Sequence, residues 1–147
     1  MEIDRSGMEV LSRDASLRLL EKVPVGRVVV SEHALPVAFP VNFALLDGDI
    51  VFRTSTGSKL GAAVHKAVLA FEADSIDPDL CAGWSVLVQG WASLMTRRDE
   101  LLRAEALGLH SWAPGCPGHF VRIHSEMVTG RRLVGARAET FAGVGCG

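Results

Sequence analysis

The stretch "LPVAFPVNFALLDGDIVFRTS", residues 35–55, restricts the possible folds more than any other part of the chain. Two apolar runs flank Asp47-Gly48, a pair that readily takes the left-handed backbone needed in a tight hairpin loop. A two-residue loop fixes the cross-strand partners by counting. Leu46 meets Asp49, Leu45 meets Ile50, Ala44 meets Val51, Phe43 meets Phe52 and Asn42 meets Arg53. Alternation then gives Phe43, Leu45, Ile50 and Phe52 a core side. Asn42, Ala44, Val51 and Arg53 share the other side, with small side chains leaving room above it. Pro40 cannot donate to a ladder, so its strand should be an edge there or carry a bulge.

The remaining punctuation suggests more strands than helices. Ser12 is placed to cap a short helix containing Asp14, Leu17, Leu19 and Leu20. "GRVVVSE" (26–32) has the apolar density of a strand buried on both faces, and "AVLAFEAD" (67–74) reads as another. "SIDPDLCAG" is a loop, and "WSVLVQGWASLMT" a long strand with Gly90 at a bulge or bend. "RRDELLRAEALG" has helical spacing, with Thr96 as its cap and Gly108 as its stop. "HFVRIHSEMVTGRRLV" reads as one last strand. About six strands, without long crossover helices, predict a small antiparallel barrel with accessory helices.

A chain of 147 residues suits one domain, and that length buries roughly 68–70% of the unfolded surface without staples. The domain is expected over 10–134, between a flexible arm at 1–9 and a flexible tail at 135–147. The net charge of −2 offers no global field for nucleic acid or anionic lipid, so any anion site must be local. Cys81, Cys116 and Cys146 do not form a disulfide framework and are expected as free thiols. With neither a secretory signal nor a membrane-length apolar run, the expected location is cytoplasmic.

The local anion site is predicted where the hairpin's second arm ends. Arg53, Thr54, Ser55, Thr56, Gly57, Ser58 and Lys59 place a guanidinium, an ammonium, several hydroxyls and a permissive glycine beside a predicted short helix over 59–66. A phosphate monoester needs charge-assisted donors from several directions, and this knot supplies them. The order is not that of a Walker loop. A solvated turn is the alternative reading of the same residues.

Together, "LPVAFPVNFALLDGDIVFRTSTGSKL", "AVLAFEAD" and "GWSVLVQGWASLM" resemble the pyridoxamine 5′-phosphate oxidase-like family over roughly residues 10–133. The resemblance implies a six-stranded antiparallel split β-barrel that dimerises, with FMN in a groove at the subunit interface. It implies that Arg53, Thr54, Ser58 and Lys59 hold the FMN phosphate. Val41, Asn42 and Phe43 would run along the isoalloxazine, and Ser85 would reach the ring or ribityl chain. The Trp- and Arg-rich C-terminal signature of the true oxidases has no match in "HFVRIHSEMVTGRRLVG". Arg122, Arg131 and Arg132 are the cations of that region.

The function expected from the resemblance is a flavin-dependent oxidoreductase acting on a small molecule of unknown identity. Its alternatives are a non-catalytic flavin- or haem-binding carrier or sensor, and a deazaflavin-dependent reductase. No dedicated acid–base cluster stands out, consistent with a flavin carrying the redox chemistry. Cys116-x-x-His119 lacks a second ligand pair, so no metal site is expected. Ser85 and Ser111 are not in nucleophile elbows. Trp84 and Trp91 have opposite parity, which sends one toward the core and the other to an interface.

Overall fold

A computed structural model describes residues 1–55, 64, 67–109 and 118–133. Its elements in chain order are β1 (Glu2–Ile3), β2 (Glu9–Leu11), α1 (Arg13–Leu20), β3 (Val25–Glu32), β4 (Leu35–Leu46) and β5 (Asp49–Thr54). They continue with β6 (Val68–Asp77), β7 (Ala82–Leu94), α2 (Arg98–Glu105), β8 (His119–Ile123) and β9 (Met127–Leu133). The predicted short helix at 59–66 and the tail at 135–147 lie outside the described residues.

Asp47 and Gly48 take φ of 52° and 81°, the pair of positive values that makes a type I′ loop. The hairpin closes in the counted register from Leu46↔Asp49 to Phe43↔Phe52. The pairing ends there. Asn42 lies opposite Val25 of β3 rather than Arg53, and the Phe43 amide donates to the Pro24 carbonyl. Arg53 lies opposite Phe120 of β8. The described β4–β5 ladder ends at Phe43↔Phe52 and does not extend to the expected Asn42–Arg53 pair. Over Leu35–Asn42 its only described strand neighbour is β3, so Pro40 sits in an edge segment.

All described ladders are antiparallel, and β3, β4, β5, β8, β7 and β6 close into a six-stranded barrel. The long β7 makes this possible by serving two neighbours. Gly83–Gln89 pairs with β9, while Ala92–Leu94 pairs with β8. The change falls at Gly90, where a Cβ would overlap the His124 carbonyl. Beyond β9, the strands β2 and β1 extend the sheet. Residues 1–9, expected as an arm, thus include β1, and Asp4 accepts from Arg131 at 2.9 Å.

The barrel interior is apolar, with Phe52, Phe71, Ile50, Val28, Val86, Val88 and Ile123 fully buried. Each such side chain contributes roughly 1.5–3 kcal/mol by leaving water. A smaller cluster lies outside the barrel wall, where α2 covers Leu46, Val51, Met95 and Phe120 through Ala104. The space expected above Val51 is therefore filled. Ser12 caps α1 through a 3.2 Å bond from the Ala15 amide, as expected. The cap position of α2 is Arg97 rather than Thr96, and it makes no side-chain cap bond.

Three other expectations change. In β3, Arg27 and Ser31 are exposed, so one face is buried rather than two. The expected single last strand is two, separated at His124–Glu126, where the Ser125 hydroxyl donates to the Gly48 carbonyl. Cys81 is disulfide-bonded, which removes it from the expected free thiols.

Candidate functional site

The predicted anion site begins at the end of β5. Strand alternation sends Phe52 and Thr54 toward the interior, whereas Val51 and Arg53 point to the side covered by α2. Arg53 lies over the Phe120 ring, 4.8 Å from guanidinium carbon to centroid, and Nη1 donates to the Leu109 carbonyl at 3.3 Å. It has no carboxylate partner among the described residues. Among the described residues its buried Nε has no hydrogen-bond partner, and neither has the hydroxyl of Thr54, whose residue is 3% exposed. Leaving a buried donor unmatched costs roughly 1–3 kcal/mol. Two adjacent residues carry that cost at the strand end named from sequence.

A phosphate fits this chemistry. The guanidinium supplies charge and a directed N–H on the α2 side of the strand end, and the hydroxyl supplies a second donor on its inner side. Ser58 and Lys59 lie outside the described residues. Gly118 shapes the same end of the barrel, since a Cβ there would overlap the Thr54 carbonyl.

The other predicted residues are more widely spread. Val41 and Phe43 are 4% and 6% exposed, so their side chains serve the core and only their backbone can border a ring. Asn42, between them, alternates outward. A cleft of about 420 Å³ lies between the end of α1 and β4, bordered by Lys22, Pro24, Phe43 and Ala44. Ser85 is on β7, opposite Asp74 and Arg131. In the strand order β6 and β3 separate it from Asn42, a span of about 14 Å at the usual strand spacing. The barrel therefore joins Arg53 to Thr54, and leaves Ser85 on a different part of the wall.

The three C-terminal arginines are already neutralised. Arg122 bonds Asp49 at 2.8 Å and Glu100 at 3.4 Å, Arg131 bonds Asp4 at 2.9 Å, and Arg132 lies 3.8 Å from Glu9. Asp47 is held below the usual carboxylate range by its bond from Arg103. On the outer wall, burial and the neighbouring Asp74 push Glu72 up to about 7, against the opposing effect of Arg27.

Of the two strand tryptophans, Trp84 packs against the core and Trp91 is 53% exposed. Trp91 shares the outer wall with Leu87, Val68 and Met127, which are 36%, 60% and 62% exposed. Register places them together, since Val68 is opposite Trp91 and Met127 opposite Gln89. Sequence reasoning found the parity of the tryptophans but not this patch, whose members come from three strands. Among the described residues no cluster of three or more His, Cys, Asp or Glu could hold a metal ion, and no helix is long and apolar enough to cross a membrane.

Comparison with known proteins places this architecture in a class. The family model described as pyridoxamine 5′-phosphate oxidase matches residues 12–132. The chain belongs to the pyridoxamine 5′-phosphate oxidase-like family. It is similar to the uncharacterized protein Rv0080 of Mycobacterium tuberculosis, with 40% identity over 129 residues and 84% of each chain covered. The FAD binding protein from Mycobacterium smegmatis superposes with a TM-score of 0.75 at 34% identity, covering 84% of this chain and 97% of its own. The FAD and haem binding protein from the same organism has a TM-score of 0.62 at 16% identity, covering 91% and 80%, and shows the fold alone.

Proposed function

We propose that the chain is a homodimeric flavoprotein that seats the phosphate of FMN at the end of β5 and uses the flavin as an oxidoreductase cofactor. The observation that carries this reading is the pair of buried, unpartnered donors on Arg53 and Thr54. A solvated turn would leave such donors to water, whereas a phosphate at the strand end, where the two faces of β5 meet, would draw on both. Ser58 and Lys59 are proposed to complete the seat. The backbone of Val41–Phe43 would border the ring, with Asn42 and Ser85 as outward polar contacts.

When bound, the isoalloxazine supplies the hydride and electron chemistry. The chain's part is to hold the phosphate, orient the ring and exclude water. Four large apolar side chains exposed on one wall support a second copy as the partner, since contiguous apolar patches on soluble monomers usually mark interfaces. A groove between copies would also bring one subunit's Ser85 toward the other's β5. The expected setting is the cytoplasm, with a small-molecule substrate.

FAD is the second reading, favoured by the FAD binding protein at 34% identity. Arg53 and Thr54 could take the inner phosphate of either nucleotide. The test is the absorption spectrum of the purified protein, followed by chromatography of the released cofactor. Flavin bands with FMN released support the proposal. FAD supports the second reading, and a Soret band or a colourless protein that binds neither flavin contradicts both. Reduction by NAD(P)H and reoxidation by an acceptor then distinguish an enzyme from a carrier.

A further inference from the structure

At the opposite end of β5, three side chains from three elements meet. Asp49 opens β5, Ser93 lies near the end of β7, and His124 follows β8. The His124 Nε2 is 3.2 Å from the Ser93 hydroxyl, and its Nδ1 is 3.5 Å from Asp49 Oδ2. The links are in the order a nucleophile, base and orienting carboxylate require: one ring nitrogen to the hydroxyl, the other to the acid. In the tautomer whose Nδ1 hydrogen faces Asp49, Nε2 is the acceptor for the Ser93 proton.

The carboxylate is itself held in place. Asp49 Oδ1 accepts from the Ser125 amide at 2.9 Å, and Oδ2 accepts from Arg122 Nε at 2.8 Å. Asp49 is 17% exposed at its side chain while His124 is 46% exposed, so the acid is sheltered and the base is open to a reactant. The chain order Asp49, Ser93, His124 carries no motif, and such sets are recognised by geometry rather than by sequence order.

We propose that Ser93, His124 and Asp49 form a hydrolytic site for neutral aryl esters, separate from the flavin site. The Ser93 oxygen bonds to the ester carbonyl carbon as its proton passes to His124 Nε2. The carbon–oxygen bond to the aryl group breaks, and the aryl oxide leaves as the phenol after taking up that proton. Water then attacks the acyl-Ser93, giving a proton to His124. The bond to Ser93 breaks, its oxygen recovers the proton, and a carboxylic acid departs. Aryl esters suit the set because their leaving group needs little assistance. The carboxylates of Asp49 and Glu100, facing one Arg122, disfavour anionic acyl donors.

The test uses the full chain and p-nitrophenyl acetate, with a fluorophosphonate as the covalent probe. The expected result is a single adduct mapped to Ser93, and ester hydrolysis reduced about 100-fold in Ser93→Ala and in His124→Gln. Loss of labelling in His124→Gln, with an unchanged thermal transition, separates base catalysis from folding. No adduct at Ser93, or hydrolysis at the wild-type rate in Ser93→Ala, overturns the proposal. Neither assay needs the cofactor, so the result is independent of flavin binding.

Discussion

The two ends of β5 treat polar groups in opposite ways. At the Asp49 end, the carboxylate takes the Ser125 amide and Arg122, and Arg122 also reaches Glu100. At the Arg53–Thr54 end, a buried guanidinium N–H and a buried hydroxyl have no partner among the described residues. Both ends border the same barrel and differ by a few residues. Stability alone explains the first arrangement, because each charge is matched where it is sheltered from water. It does not explain the second, where an apolar pair would serve the fold better. A polar cluster completed within the chain is accounted for by the structure it holds, whatever chemistry it also does, and one left incomplete among the described residues points to a ligand.

Perturbing each end should separate these roles. The largest effect is expected from Gly118→Ala, whose added Cβ overlaps the Thr54 carbonyl. Relieving that overlap moves backbone, so stability should fall by about 3 kcal/mol or more, with flavin binding lost alongside. Urea unfolding and flavin titration check both. Asp49→Ala should act on the fold and on the proposed ester hydrolysis, and not on flavin binding. It removes the nearer partner of Arg122, which keeps Glu100 at 3.4 Å, and the acceptor of the Ser125 amide, and should cost about 2–3 kcal/mol in urea unfolding. Flavin affinity in the surviving folded protein should change less than about twofold.

Thr54→Val should give the opposite sign in the two measurements. Removing an unmatched hydroxyl at constant shape should leave apo stability unchanged or raise it by about 1 kcal/mol. Affinity for FMN should fall by about the same amount. A loss of apo stability would show that the hydroxyl serves the fold and would erase the contrast between the two ends.

The smallest effect is expected at Glu72, on the outer wall and away from both ends. Its ordinary value of 4.5 is raised to about 7 in the folded chain, so the folded state binds more protons between those values. Stability from this group is therefore present below the lower value and is lost as pH rises toward the upper one. Glu72→Gln should flatten the fall in urea midpoint across that window. It should leave flavin affinity at neutral pH unchanged.

Much of this contrast was legible in the sequence at one end and hidden at the other. Asp47-Gly48 fixed the hairpin register because its backbone preference is local. The polar knot named Arg53 and Thr54 because so many donors side by side are unusual in an apolar chain. Gly90 reads as a bulge or bend, and the change of partner along β7 falls there. By contrast, the turn at His33–Ala34 takes positive φ of 50° and 65° without a glycine or asparagine to mark it. The break between β8 and β9 depends on Ser125 reaching Gly48 and Asp49, contacts between residues far apart in the chain. Ser93, His124 and Asp49 were invisible because their proximity exists only after the barrel closes.

The most direct measurement compares FMN with riboflavin, which lacks the phosphate, on the wild type and on Arg53→Ala. Charged hydrogen bonds are worth roughly 1.5–3 kcal/mol, about 10- to 150-fold in affinity. The wild type should therefore prefer FMN by at least about tenfold, and Arg53→Ala should lose most of that preference while binding riboflavin as before. Equal binding of the two ligands by the wild type, or a preference that survives in Arg53→Ala, would contradict a phosphate seat at the end of β5.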